Sequence, residues 1–132
     1  MATYNGAKYL DEQIQSLIEQ KNVQVDILVR DDGSTDNTIE VLNKWKEQNK
    51  LEWYKGKHLN VQFGFYDLME RARTRDVDYL AFCDQDDVWD LDKLCIAVEK
   101  LEKLCNKSMP ALYYCGQRLV DENMKFIADH KL

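Results

Sequence analysis

The chain has 132 residues, 45% of them hydrophobic and 32% charged, a length and balance that support a packed core and exclude a disordered or fibrous polypeptide. Eighteen Lys and Arg against 24 Asp and Glu leave a net charge of −6, which repels phosphate backbones and excludes nucleic acid as a partner class. An acidic protein that binds a diphosphate must do so locally, through a metal, backbone amides or a few placed cations.

Helical and extended patterns alternate along the chain. Residues 8–20 place Leu10, Ile14, Leu17 and Ile18 on one face, the spacing of an amphipathic helix. Residues 25–30 read as a strand rich in β-branched side chains, and residues 36–48 as a helix with Ile39, Leu42 and Trp45 inward and Ser34 or Thr35 as its cap. Leu51 to Lys55 is a short strand and 63–74 a helix. Tyr79 to Cys83 is an unbroken apolar run, the pattern of a central strand covered on both faces. Asp90 is placed to cap a helix whose stripe is Leu91, Leu94, Val98, Leu101 and Cys105. Ala111 to Gly116 reads as a further strand, and 118–128 as a hairpin arm.

With one proline, Pro110, five glycines and no repeat, the sequence reads as a single domain over 1–132. The order predicts an α/β fold, a three-layer α/β/α arrangement around a mostly parallel sheet. Ligands of such sheets bind beyond the C-terminal ends of the strands. No stretch reaches the ~20 apolar residues of a membrane span and the N-terminus lacks a leader pattern. A cytoplasmic location is expected, with any peripheral attachment to the inner face of the membrane supplied by regions outside these residues. Cys83, Cys95, Cys105 and Cys115 lie in apolar stretches without CxxC spacing and read as reduced core thiols.

Three polar clusters follow strands or open helices. Ala2-Thr3-Tyr4-Asn5-Gly6 precedes the first helix, where backbone N–H groups are available to a ligand and Tyr4 offers a flat face to a base. Asp31-Asp32-Gly33-Ser34-Thr35-Asp36 closes the second strand. Gly33 permits a tight turn there, and the paired carboxylates suit ribose hydroxyls or a pyrimidine N–H, not a phosphate. Asp84-Gln85-Asp86-Asp87 sets three acids within four residues, a mutual repulsion that a divalent cation resolves. Oxygen-only ligands favour Mg²⁺ or Mn²⁺ over zinc. Lys55, Lys57 and His58 read as a solvated basic loop that can lend charge to a pyrophosphate.

Taken in order, Ala2 to Gly6, Asp31 to Asp36 and Asp84-Gln85-Asp86-Asp87-Val88-Trp89 resemble the motifs of glycosyltransferase family 2, in its rhamnosyltransferase-like branch. Asp92-Lys93-Leu94 and Leu119 to Asn123 extend the resemblance over nearly the whole chain. It implies the GT-A fold and an inverting transfer of a sugar from a UDP- or dTDP-sugar donor to a glycan or lipid-linked acceptor in cell-surface polysaccharide synthesis. It also implies nucleotide contacts from Ala2, Thr3, Tyr4, Asn5, Asp32 and Asp84. Asp86, with Asp84, would be the DxD acids at a Mg²⁺ or Mn²⁺ ion, Asp31 would support the turn, and Asp87 would stand behind the metal ligands. The catalytic base is expected in a C-terminal half outside this chain, which leaves a non-catalytic nucleotide-sugar-binding or assembly module as the alternative. A phosphorelay receiver also gathers acids of this kind, but it requires an exposed lysine after its fifth strand, where Cys115-Gly116-Gln117-Arg118 supplies none.

Overall fold

The computed structural model describes residues 1–58, 60–104 and 109–130, which form two compact units, Met1–Lys93 and Leu94–Leu132. The first carries β1 (Ala2–Thr3), α1 (Ala7–Ile18), β2 (Leu28–Asp31), α2 (Thr38–Glu47), β3 (Glu52–Lys55) and α3 (Val61–Ala72). β1 and β3 both pair parallel with β2, in the order β1-β2-β3.

Side-chain alternation assigns the helices to the two faces of this sheet. Val29 is fully buried, and its register partner Trp53 donates its indole N–H to Asn43 on α2. Arg30 and its partner Tyr54 point the other way, both to Asp67 on α3. α1 packs with α2, and α3 packs on β1 and β2. The three-layer parallel α/β/α expectation therefore holds for this unit. Its core is the apolar stripe that the sequence showed: Leu10, Ile14 and Leu17 of α1 and Leu42 and Trp45 of α2 are buried with Ile27 and Leu51. Each such side chain contributes about 1.5–3 kcal/mol of burial.

The helices fall within about two residues of expectation, whereas the strands depart further. β2 starts at Leu28 rather than 25, because its neighbours reach no further back: β1 is two residues long and β3 begins at Glu52. The run 79–83 is a correction. It is extended without a ladder among the described residues, and Tyr79, Leu80 and Phe82 are 44%, 51% and 52% exposed. Apolarity shows that a segment can be buried, but a ladder needs a partner strand alongside.

The second unit holds most of α4 (Lys93–Leu104) and an antiparallel hairpin, β4 (Gln117–Val120) with β5 (Phe126–His130), bulged between Leu119 and Val120. The strand expected over 111–116 does not form; the ladder is the hairpin itself, in the arm expected at 118–128. Of the cysteines expected in the core, Cys83 is buried, Cys95 and Cys115 are half-buried, and Cys105 lies outside the described residues. Among the described residues no helix is long and apolar enough to cross a membrane.

Candidate functional site

Because β1 and β2 run parallel with Thr3 beside Asp31, the first two clusters leave the sheet at the same end. Each turn is held by the other. Asn5 donates its N–H to Ser34 Oγ (2.9 Å) and accepts the Thr35 N–H on Oδ1 (2.8 Å). Gly6 donates to Thr38 Oγ1 (2.9 Å) and Ala7 to Asp36 Oδ2 (3.2 Å). The N–H groups expected to await a ligand at the start of α1 are thus taken by side chains of the second cluster and by Thr38.

The capping expectation is corrected in the same place. Neither Ser34 nor Thr35 caps α2, which begins at Thr38. Asp36 accepts the Thr38 N–H (3.1 Å) on one carboxylate oxygen and the Ala7 N–H on the other, so one residue serves the first turns of two helices. The Thr38 hydroxyl, foremost, holds the Asp36 carboxyl below its usual range. Asp31 is fully buried and accepts from Gly33 N–H (3.0 Å), Ser34 N–H (3.1 Å) and the Ser34 hydroxyl. It supports the turn and does not face outward. Gly33, at φ 93°, sits where a Cβ is disfavoured.

Asp32 has a different environment. One of its carboxylate oxygens is paired with the guanidinium of Arg30, a fully buried side chain. Arg30 also binds Asp67 Oδ2 through Nε (3.0 Å) and the Lys57 carbonyl through Nη2 (2.6 Å). Tyr54 donates its hydroxyl to the same Asp67 oxygen (2.6 Å). That bond, then Arg30, holds the Asp67 carboxyl below its usual range, while burial and Asp67 push the Tyr54 hydroxyl up. The guanidinium is packed so closely that a Cβ at Gly56 would overlap it, and one at Gly64 would stand 3.3 Å from Nη1. Arg30 fixes where Asp32 points.

The third cluster reaches the first through Gln85. Its Oε1 accepts from the Thr3 hydroxyl (2.7 Å) and the Tyr4 N–H (2.9 Å), and its Nε2 donates to the Tyr4 carbonyl (3.3 Å). Upstream, Gln13 donates to the Cys83 sulfur, and downstream the Trp89 N–H donates to Ser16 Oγ. Burial raises the Asp87 carboxyl above its usual range, and the charges of Asp84 and Asp86 raise it further.

A cleft of about 240 Å³ is lined by Thr3, Tyr4, Asp32, Gly64, Asp84 and Asp86, with Ala2, Val61, Phe65 and Gln85 completing its wall. Residues from all three clusters therefore share one cavity. Tyr4 is 46% exposed and presents its ring there, with His58 beside it, the ring centroids 5.0 Å apart and the planes tilted by 55°. His58 Nδ1 lies 3.2 Å from the Asp32 carbonyl, and the Lys57 backbone serves Arg30. Asn5 and Asp31 brace the turns behind this wall, and Asp87 is half-buried next to it.

Among the described residues no three His, Cys, Asp or Glu side chains converge into a closed metal cage. Asp84 and Asp86 both border the open cleft, and oxygen donors of this kind suit a hard cation rather than zinc. Sequence reasoning missed Arg30 and Gln85. An arginine within an aliphatic strand that precedes two aspartates was a usable signal, since a buried guanidinium needs carboxylate partners. Gln85 carried no comparable signal.

In this α/β/α unit the acidic cleft lies at the C-terminal ends of parallel strands, where the ligands of such sheets bind. The model of "Glycosyl transferase family 2" matches residues 1–124, and the chain belongs to that family. It is 36% identical to dTDP-rhamnosyl transferase RfbG of Shigella flexneri, over 92% of this chain and 45% of RfbG. A Bacillus subtilis glycosyltransferase provisionally named for teichuronic acid biosynthesis, TuaG, is 28% identical over 78% of this chain and 41% of its own. Among solved structures, Staphylococcus aureus TarS 1-349 in complex with UDP superposes with a TM-score of 0.58 at 25% identity, over 77% of this chain and 30% of TarS. The chain thus spans less than half the length of these relatives.

Proposed function

We propose that this chain is the donor-binding part of a metal-dependent, inverting glycosyltransferase that uses a UDP- or dTDP-sugar. The convergence of Tyr4, Asp32, Asp84 and Asp86 on one cleft carries the reading. In it, Tyr4 stacks on the base and Asp32 accepts the N3–H of uracil or thymine. Arg30 keeps that carboxylate aimed. Cytosine presents an acceptor at N3 and meets repulsion from Asp32. Asp84 reaches the ribose, or the cation through water, and Asp86 binds the cation directly, with Asp87 behind them. The names of RfbG and the UDP-bound TarS structure support a pyrimidine nucleotide donor for this chain.

A divalent cation bound by Asp86 and Asp84 supplies charge stabilisation for the departing diphosphate. The chain's own residues bind and orient the donor, so that an acceptor hydroxyl of a glycan or lipid-linked saccharide, deprotonated by a base outside these residues, attacks the anomeric carbon in line. The chain acts at the inner face of the membrane in synthesis of a surface polysaccharide.

Thermal denaturation with UDP, dTDP, GDP and CDP, each with and without Mn²⁺, tests this. A ligand at a hundred times its dissociation constant adds about 2.7 kcal/mol, a rise of several degrees in a domain of this size. The reading requires a rise with UDP or dTDP that depends on Mn²⁺ and disappears in Asp86→Ala. Equal shifts for all four nucleotides, or none, would reject it.

A further inference from the structure

The segment that carries Asp84 and Asp86 is not bound into the sheet by a ladder among the described residues. Its ties to the rest of the unit are few and are made by side chains. Cys83 and Trp89 hold the two ends onto α1 through Gln13 and Ser16, and Gln85 joins its centre to the first cluster. Gln85 stands between the two aspartates at a bend of the chain and shares the cleft wall with them. Its amide meets both polar groups of the Tyr4 backbone and the Thr3 hydroxyl, at 2.7 to 3.3 Å. Thr3 is itself buried, at 3% exposure. Beneath this amide lies Gly6, where an added Cβ would stand 2.8 Å from the Gln85 amide carbon and 2.9 Å from Thr3 Oγ1.

We infer that Gln85 is a positioning residue: its hydrogen bonds to Thr3 and Tyr4 set the separation between the base platform at Tyr4 and the carboxylates of Asp84 and Asp86, and thereby couple nucleotide binding to metal binding. The inference rests on the donor-site reading above. Tyr4 and Asp32 have further braces besides Gln85. The Asn5 and Ser34 contacts brace the turn that carries Tyr4, and Arg30 holds Asp32. The acids depend on it more, because a diphosphate and its cation must span a fixed distance from the base. Gly6 is required in the same device, since any side chain there displaces the amide.

The test is a coupling measurement on the whole chain. Calorimetry gives the dissociation constant of UDP and of dTDP with and without Mn²⁺, and the ratio is the coupling factor. Mn²⁺ binding alone is followed by electron paramagnetic resonance. In Gln85→Ala the coupling factor should fall by about tenfold, the size expected for loss of one or two hydrogen bonds. Metal-free nucleotide affinity and affinity for Mn²⁺ alone should each change by less than about threefold. Gly6→Ala, at φ −100° open to alanine, keeps Gln85 but displaces it, and should show the same loss. An unchanged coupling factor in both variants overturns the inference, as does a uniform weakening of metal-free and metal-loaded binding, the mark of a merely structural role. A wild-type chain that binds nucleotide with no effect of Mn²⁺ overturns the donor-site reading itself, and the inference falls with it.

Discussion

At the scale of single residues, Arg30 has the most at stake. Its guanidinium is fully buried, and removing it strands the Asp32 carboxylate at 12% side-chain exposure. Breaking a buried pair from one side costs about 3–5 kcal/mol, and Arg30→Met should lose stability of that order in urea unfolding. Asp67→Asn should lose far less, because that carboxylate is 42% exposed and solvent screens it. Its folded pKa lies below the unfolded value near 3.9, so its contribution is present above that pH and is lost as pH falls through the folded value. The stability of Asp67→Asn should therefore diverge less from wild type as pH drops below about 4. A second residue is testable by chemistry. Burial pushes the Cys83 thiol up to about 11, leaving about a thousandth of it as thiolate at pH 8. Iodoacetamide followed by mass spectrometry should label Cys83 in urea and not in the folded protein; labelling in both would contradict its burial.

Elements pose the question of how α1 and α2 are terminated, and Asp36 answers for both. It accepts one N–H from each helix start, and loss of an N-cap costs about 0.5–2 kcal/mol. Asp36→Ala should destabilise by about 1–3 kcal/mol, with Asp36→Asn retaining part of that; a neutral Asp36→Ala would show that the shared cap is idle. α3 sets two effects against each other at Gly64. Alanine favours a helix interior by about 0.5–1 kcal/mol over glycine, yet its Cβ would lie 3.3 Å from Arg30 Nη1 and 3.9 Å from Asp32 Oδ2, in the wall of the cleft. Gly64→Ala should leave the melting temperature within a few degrees of wild type and weaken UDP binding several-fold. Tighter binding would mean that the base does not lie against α3.

The same elements show what was legible in the sequence. Helices were, because a 3.6-residue stripe such as Leu10, Ile14 and Leu17 reports burial directly. The clusters were too, since Gly33 and the paired acids have local turn and charge signatures. Strand limits were not, because a strand ends where its neighbour does: Val25 and Asp26 have the composition of β2 without its partners. The run 79–83 shows the same failure more fully. The braces of the site, Arg30 and Gln85, were hidden because their meaning lies in contacts 37 and 82 residues away.

For the molecule as a whole, charge decides how the site must work. A net charge of −6 surrounds a cleft whose wall already carries Asp32, Asp84 and Asp86. Of these, Asp32 alone has a cation, Arg30, against it among the described residues. A nucleoside diphosphate approaching without metal meets repulsion at its phosphate end, partly offset by stacking at its base. Salt weakens that repulsion, since the Debye length falls from about 14 Å at 50 mM to about 4 Å at 500 mM. Metal-free UDP should therefore bind more tightly as NaCl rises over this range. With saturating Mn²⁺ the sign should reverse, because the phosphates then meet a local positive charge whose attraction salt screens. Isothermal titration at the two salt concentrations, with and without Mn²⁺, reads both slopes. Opposite slopes require that the phosphates lie beside Asp84 and Asp86 and that the ion stands between them. Parallel slopes would mean that the diphosphate binds elsewhere, on the basic loop around Lys55 and Lys57, and that the acidic cluster is not where the cation meets its ligand.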